Sequence, residues 1–499
     1  MDAMRSAFER RFATSSRCLQ LFRTSLGFLV ALEIADKWPT LEWLYSDVGT
    51  LPRSSVMPEM TTEGRLVWLF CAHAWHGSVL WVQFLSVVQL GFAACLACGV
   101  HCRASSFAVW WLHCSFCLRN GALVYILDRY LHLLLLYSAC LPVPNTSRSS
   151  KARSSCSFAA FVLAMQLVLI YTDAGVHKAL DPAKAWSLAA PVAALDTYMR
   201  HTAFAQAARR MLGGFGLRVG GVATVSIEVF GPSLAFLSSS QFLRRVLIFC
   251  VCGMHVGIAL CMRNTVLLSS AACIAWIPFL DGPAPTHQSA HTKHAQGNTD
   301  ASSALPDVQR SHSRGAREAP SLLLACIVML SAHHQWSGRG GTGCEGRTGD
   351  DALRTLTLHQ RWNVFSSAES YVVWEIAPAR LSDGSVVDLW REAEEVAWSV
   401  PTGAEPPRRR GRWRAWPYTA PIATSPESAT IFWGSLCDMF ERYDEKNRTV
   451  AGYHFYMMQA DAVPMESQQD EHEYGDVRKR LITKFNCAAR REQSKVARE

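Results

Sequence analysis

The sequence predicts a membrane all-α fold, a polytopic helical bundle of about eight or nine spans, followed by a smaller β-containing soluble domain. Three observations carry this expectation. Apolar residues gather before residue 281 in runs of bilayer length, whereas the tail from Ser337 is charged and mixed. Mean hydropathy is +0.07, which is positive for a chain of 499 residues. One apolar run, ending LVLIYTDAGVHKAL (167–180), carries Asp173, His177 and Lys178 just before Pro182. Proline discourages continuation of a helix. Ionisable groups at the end of a membrane-grade helix usually face a protein or water-lined interior and mark a functional site.

The length suits two domains. The expected division is a multi-pass part over 1–281, a linker over 282–319, a marginal ninth span over 320–334, and a soluble domain with a β-hairpin over 335–499. Net charge is +8, yet no long basic helix and no array of interleaved aromatics and arginines is present. The charge therefore reads as membrane orientation, and the expected partner is a lipid bilayer with no nucleic acid.

In chain order, Arg5, Arg10, Arg11, Arg17 and Arg23 precede the apolar run Leu26–Ile34. A basic start and an apolar stretch fit a secretory signal, but no small-residue cleavage site precedes Lys37-Trp38-Pro39. A retained first span with a cytosolic basic end is expected. Residues 37–77 form a loop with aromatic anchors Trp38, Trp43, Tyr45 and Trp75. Ser78–Val100, Ala104–Leu118 and Ala122–Leu141 read as spans. The last holds Asp128, Arg129 and His132, with Asp128 and His132 on one helical face. They form either a self-satisfied Asp–Arg pair or part of a cavity.

A basic loop follows, then the helix of roughly Ser157–Tyr171 that runs into Asp173. A longer connection spans 181–217. Val219–Leu237 is the next span, interrupted by Glu228 and Pro232. Arg244–Met262 carries His255, and Thr265–Leu280 closes the apolar part. Residues 282–319 have no hydrophobic period and suit a disordered connector. Their His287, His291, His294 and His312 lack a fixed scaffold for metal binding. The tail offers a hairpin signal, Ser370–Ala377 and SVVDLW around the Asp383-Gly384 turn. A charged, helix-like pattern begins at Asp476.

Of the 17 cysteines, most lie in apolar segments, including the CxxC pairs Cys95/Cys98 and Cys114/Cys117. There cysteine serves as a small apolar residue, so no metal site is expected. Basic loops fall mainly on one side when the first end is cytosolic; the Arg-bearing loop after Tyr198 is the exception. Nine spans place the tail outside or in a lumen, with the Asn447-Arg448-Thr449 sequon open to glycosylation. Eight place it in the cytosol.

Lys178 is the candidate catalytic residue. A partly desolvated lysine has its ammonium form disfavoured, and a neutral amine serves as a general base toward a phenol or as a nucleophile toward a carbonyl. The alternative is a lysine that ends a helix and snorkels to the interface.

YTDAGVHKALDPAKAW (171–186) resembles the YxxAGxxK region of the vitamin K-dependent γ-glutamyl carboxylases, and more broadly the horizontally transferred transmembrane (HTTM) domain family. Four further pieces are similar, in order: SLGFLVALEIADKWPTLEWLYSDVGTLPR, LDRYLHLLLLYSACLP, GMHVGIALCMRNTVLLSSAACIAWIPFL, and LHQRWNVFSS followed by the DG hairpin. The similarity covers roughly residues 15–400. The resemblance implies a multi-pass integral membrane protein, with the endoplasmic reticulum as an expected location. It implies reduced vitamin K or another quinone as cofactor, a protein substrate that the sequence does not name, and carboxylase and epoxidase chemistry. Lys178 would deprotonate the hydroquinone, with His177, Asp173, Asp128 and His255 lining the cavity. Two positions depart: His177 stands where the carboxylases have a second lysine, and Asp128 where they have a histidine. The competing expectation is a non-catalytic membrane carrier or scaffold of the same fold.

Overall fold

The computed structural model describes residues 11–54, 65–143, 154–281 except 239, 325, 362, 364–366, 368, 370–392, 395–401, 412–413, 426–465 and 473–496. The expected linker, the expected ninth span except Ala325, the four linker histidines and Asn145 lie outside them.

The described part is mostly helical. A short strand β1 (Ala13–Ser15) leads into α1 (Ser16–Lys37), then α2 (Leu41–Tyr45), α3 (Arg65–Phe70), α4 (Val79–Ala97), α5 (Cys102–Arg119) and α6 (Ile126–Cys140). Strand β2 (Ser154–Cys156) pairs antiparallel with β1. Next come α7 (Phe158–Ala179), α8 (Ala194–Tyr198), α9 (Ala203–Leu237), α10 (Gln241–Cys261) and α11 (Val266–Ile274).

Helix starts follow from local chemistry. Ser15, Ser78, Ser157, Thr202 and Ser240 sit in extended conformation, and each accepts a hydrogen bond from a first-turn backbone N–H. Each satisfies a donor that would otherwise be orphaned. At the other end of α6, buried Arg23 donates to the carbonyls of Ser138 and Leu141, both at 2.9 Å, and of Pro142 at 3.0 Å. A cation there meets the negative helix end.

Among the described residues, five helical stretches are long and apolar enough to cross a membrane: 16–45, 79–97, 158–179, 203–237 and 241–261. The expected spans differ from them in instructive ways. Leu26–Ile34 is only the middle of α1. Helix α7 does not stop at Tyr171 but continues through Lys178, because no proline interrupts it before Asp181-Pro182. The expected connection over 181–217 is partly helix, since α9 begins at Ala203 and bends at Gly213 (φ 63°). Helix α6 has 15 residues and α11 has 9, so each falls short of that measure.

The tail carries a five-stranded antiparallel sheet: β3 (Tyr371–Ile376), β4 (Pro378–Leu381), β5 (Val386–Asp388), β6 (Val450–Ala462) and β7 (Tyr474–Phe485), with α12 (Pro426–Tyr443) before β6 and α13 (Cys487–Val496) after β7. The Asp383-Gly384 turn joins β4 to β5, while β3 pairs with β6. The hairpin is thus shorter than expected and excludes Tyr371–Ile376. The charged stretch from Asp476 is corrected as well: it is strand through Phe485, and only Cys487–Val496 is helix. A disulfide joins Cys437 on α12 to Cys487. Leu41, Trp43, Leu44 and Phe116 share one apolar core with Trp390, Trp413, Phe455 and Leu436, so the sheet packs on one end of the helical part.

Candidate functional site

Tyr171, Gly175 and Lys178 lie at i, i+4 and i+7 and share one face of α7. That face meets α9. A Cβ on Gly175 would come within 2.7 Å of Val229 Cγ2 and 3.0 Å of Glu228 Cβ. The missing side chain is what lets α9 approach closely enough for Glu228 to reach Lys178. Lys178 Nζ donates to both oxygens of Glu228, at 2.9 and 2.8 Å. Both residues are buried, Lys178 at 3% exposure and Glu228 at 6%. Trp186 covers the amine, with its ring centroid 5.4 Å from Nζ. Trp186 is held by the DPAKAW loop, where Asp181 accepts from the backbone N–H groups of Ala183 and Ala185. Its own Nε1 is buried without a hydrogen-bond partner.

The pair decides the chemistry of the amine. An ammonium with a carboxylate, or an amine with a carboxylic acid, has zero net charge, which suits a buried site better than a lone cation. One labile proton is distributed between two groups. His255, on α10, is an electrostatic neighbour of Lys178. Its Nε2 lies 2.7 Å from the Tyr171 hydroxyl, which also accepts from Trp276 Nε1 at 3.4 Å. The indole only donates, so the phenolic hydrogen is available to His255.

The remaining expected site residues are placed differently. His177 Nε2 lies 3.6 Å from Asp173 Oδ1, one turn away, and the His177 side chain is 37% exposed. These two form a partly solvated pair with each other. Asp128 belongs to a second cluster. Arg412, from the tail, binds both Asp128 oxygens and reaches Glu33 at 2.6 Å. Lys37 pairs with Glu33 and lies 3.9 Å from Asp128. Asp128 also accepts from the Tyr125 N–H at 3.0 Å, which makes it a cap of α6. The Asp128–Arg129 pairing considered from sequence is replaced by Asp128–Arg412.

In the sequence, Glu228 stands only as an interruption of an apolar run. The signal was present, since a single acid within an apolar run needs a partner. Arg412 sits in a run of basic residues and carried no such signal. Nor did the sequence foresee that His113 and Cys117 on α5 would meet His132 on α6, with their ligating atoms within 4.8 Å of one another. No protein-family model, curated protein or solved structure shows a significant match to this chain.

Proposed function

We propose that this chain is a multi-pass membrane protein of the HTTM type, akin to the vitamin K-dependent carboxylases, in which Lys178 deprotonates a reduced quinone. The observation that carries this reading is the buried Lys178–Glu228 pair, lidded by Trp186 and flanked by His255 and Tyr171. Trp186 is the group beside the amine that such a ring would meet. Trp186 offers an aromatic face, and its unpartnered buried N–H suits an oxygen of the bound molecule. A bound hydroquinone would supply an acidic phenol, and its oxidation to an epoxide by oxygen would supply the strong base that a carboxylation needs.

The protein's part is proton management. Lys178 Nζ takes the phenolic proton, and Glu228 receives the proton that Nζ gives up, so the pair ends with one proton more. Tyr171 and His255 form a second hydrogen-bonded pair beside it. A cofactor soluble in lipid explains why a base would stand among apolar helices.

The membrane setting rests on the five long apolar helices and on what they leave uncovered. Leu80 and Phe84 on α4, Phe230 and Leu237 on α9, and Phe242 and Phe249 on α10 are exposed. Large exposed apolar surface needs a cover, and a bilayer supplies it. The Cys437–Cys487 disulfide favours an oxidising compartment for the tail. That suits an odd number of crossings, nine, and the endoplasmic reticulum.

One observation favours the scaffold reading. Lys178 uses both Glu228 oxygens, so the pair is complete without a substrate. Oxygen uptake separates the two readings. Membranes carrying the protein are expected to consume oxygen when given a hydroquinone, and Lys178→Ala to consume none above empty membranes. Uptake equal in wild type and variant removes the lysine base; no uptake in either supports the scaffold.

A further inference from the structure

We propose that His113, Cys117 and His132 form a buried binding site for one monovalent copper ion between α5 and α6. His113 and Cys117 are one turn apart on α5, and His132 faces them from α6. All three are buried, at 0%, 4% and 0% exposure. One ligand atom from each lies within 4.8 Å of the others. Bonds of about 2.0–2.3 Å from nitrogen or sulfur to a metal require ligand separations of roughly 3.5–4 Å in a trigonal site. The side chains therefore need to close by at most about 1.3 Å.

A second observation points to a ligand. His113 Nε2 lies 3.2 Å from the backbone carbonyl of Asp128. A carbonyl only accepts, so Nε2 carries the hydrogen. That leaves Nδ1 as a bare lone pair, and this buried atom has no hydrogen-bond partner. Metal-ligating histidines are oriented in this way, with the far nitrogen donating to a carbonyl or carboxylate. Cys117 is a free thiol.

Ligand type and charge choose the ion. Two imidazoles and a thiolate are a soft set suited to copper or zinc. Zinc almost always takes a fourth ligand, and the nearby carboxylates of Glu33 and Asp128 are engaged by Lys37 and Arg412. Those four charges sum to zero. When a monovalent ion binds, Cys117 releases one proton and forms the sulfur–metal bond, so the buried region stays neutral. A divalent ion would leave one uncompensated positive charge there. The site does not depend on the quinone reading, and Lys178 takes no part in it.

The test uses the full chain in detergent, reduced and loaded anaerobically with copper(I), then washed with the chelator bicinchoninate. About one copper per chain is expected to remain in wild type and in a Cys95→Ser control. Cys117→Ser and His132→Asn are expected to retain at least tenfold less. X-ray absorption at the copper edge of the wild type guards against a variant that fails to fold, and should show one sulfur and two nitrogens. Copper stripped from wild type, retention indifferent to both substitutions, a sulfur-free shell, or loading by zinc in place of copper would each overturn the proposal.

Discussion

Lys178 and Glu228 are worth more together than either is alone. Removing the amine leaves a carboxylate among apolar helices, and breaking a buried pair typically costs about 3–5 kcal/mol. Lys178→Met should therefore lower thermal stability in detergent by that amount. The double variant Lys178→Met/Glu228→Leu should recover most of it, because matched apolar replacements of a buried pair are often neutral. Equal stability of wild type and Lys178→Met would mean that the pair is hydrated. Asp388 in the sheet makes a titration argument. Its Oδ1 accepts from the backbone N–H groups of Ala377, Trp390 and Arg391. Burial nevertheless outweighs these bonds and raises its carboxyl above the ordinary 3.8. The folded state then holds the proton more tightly than the unfolded chain. Asp388 thus costs stability as pH rises from 3.8 through its folded value. Asp388→Asn should gain on wild type over that rise, read as the difference in midpoint of urea unfolding. A difference that stays flat with pH would refute this account.

At the level of elements, what was readable depended on which force sets each boundary. The apolar runs locate α4 and α10, and the start of α7, closely, because an unbroken apolar stretch marks each of them. The end of α7 was missed because polar residues within a helix do not stop it; proline does. The DG turn was correctly placed, but its partner strand was not. Ala377 passes the chain from β3 to β4, and β3 finds β6 some eighty residues later, a pairing no local signal encodes. From sequence, β7 reads as helix because Arg478, Lys479, Arg480 and Lys484 hide its period of two. Its pairing with β6 is fixed by backbone hydrogen bonds, and most of its side chains point to solvent. The turn between α12 and β6 supports a test of sidedness. Asn447 is exposed, at φ 52°, so its amide is open to a transferase. Expression in eukaryotic cells should give a glycosidase-sensitive mobility shift that disappears in Asn447→Gln. A tail that is never glycosylated would contradict the lumenal placement.

Across the whole molecule, the division expected from composition is crossed by packing. Arg412 reaches from the tail into the helical part, donates to the Leu123 carbonyl at 3.0 Å and closes on Asp128 and Glu33. Lys37 alone would then face two buried carboxylates in Arg412→Ala. The loss should again be about 3–5 kcal/mol, and limited proteolysis should cut the tail faster than in wild type. Unchanged cleavage would mean that the shared apolar core, not the ion cluster, holds the two parts together. The candidate site was half legible for the same reason. Lys178 stands out as an ionisable group at the end of an apolar run, and Glu228 lies fifty residues away on another helix. Only the close approach at Gly175 brings them together.

The central claim is that a sheltered amine at position 178, working with Glu228, takes a proton from a lipid-soluble phenol. It is tested most directly by the oxygen electrode, with membranes carrying wild type or Lys178→Ala supplied with hydroquinone at saturating concentration. A general base contributes about 10²–10⁴-fold, so the account predicts at least about a 100-fold loss of uptake in the variant at equal protein. Undiminished uptake in Lys178→Ala would contradict it.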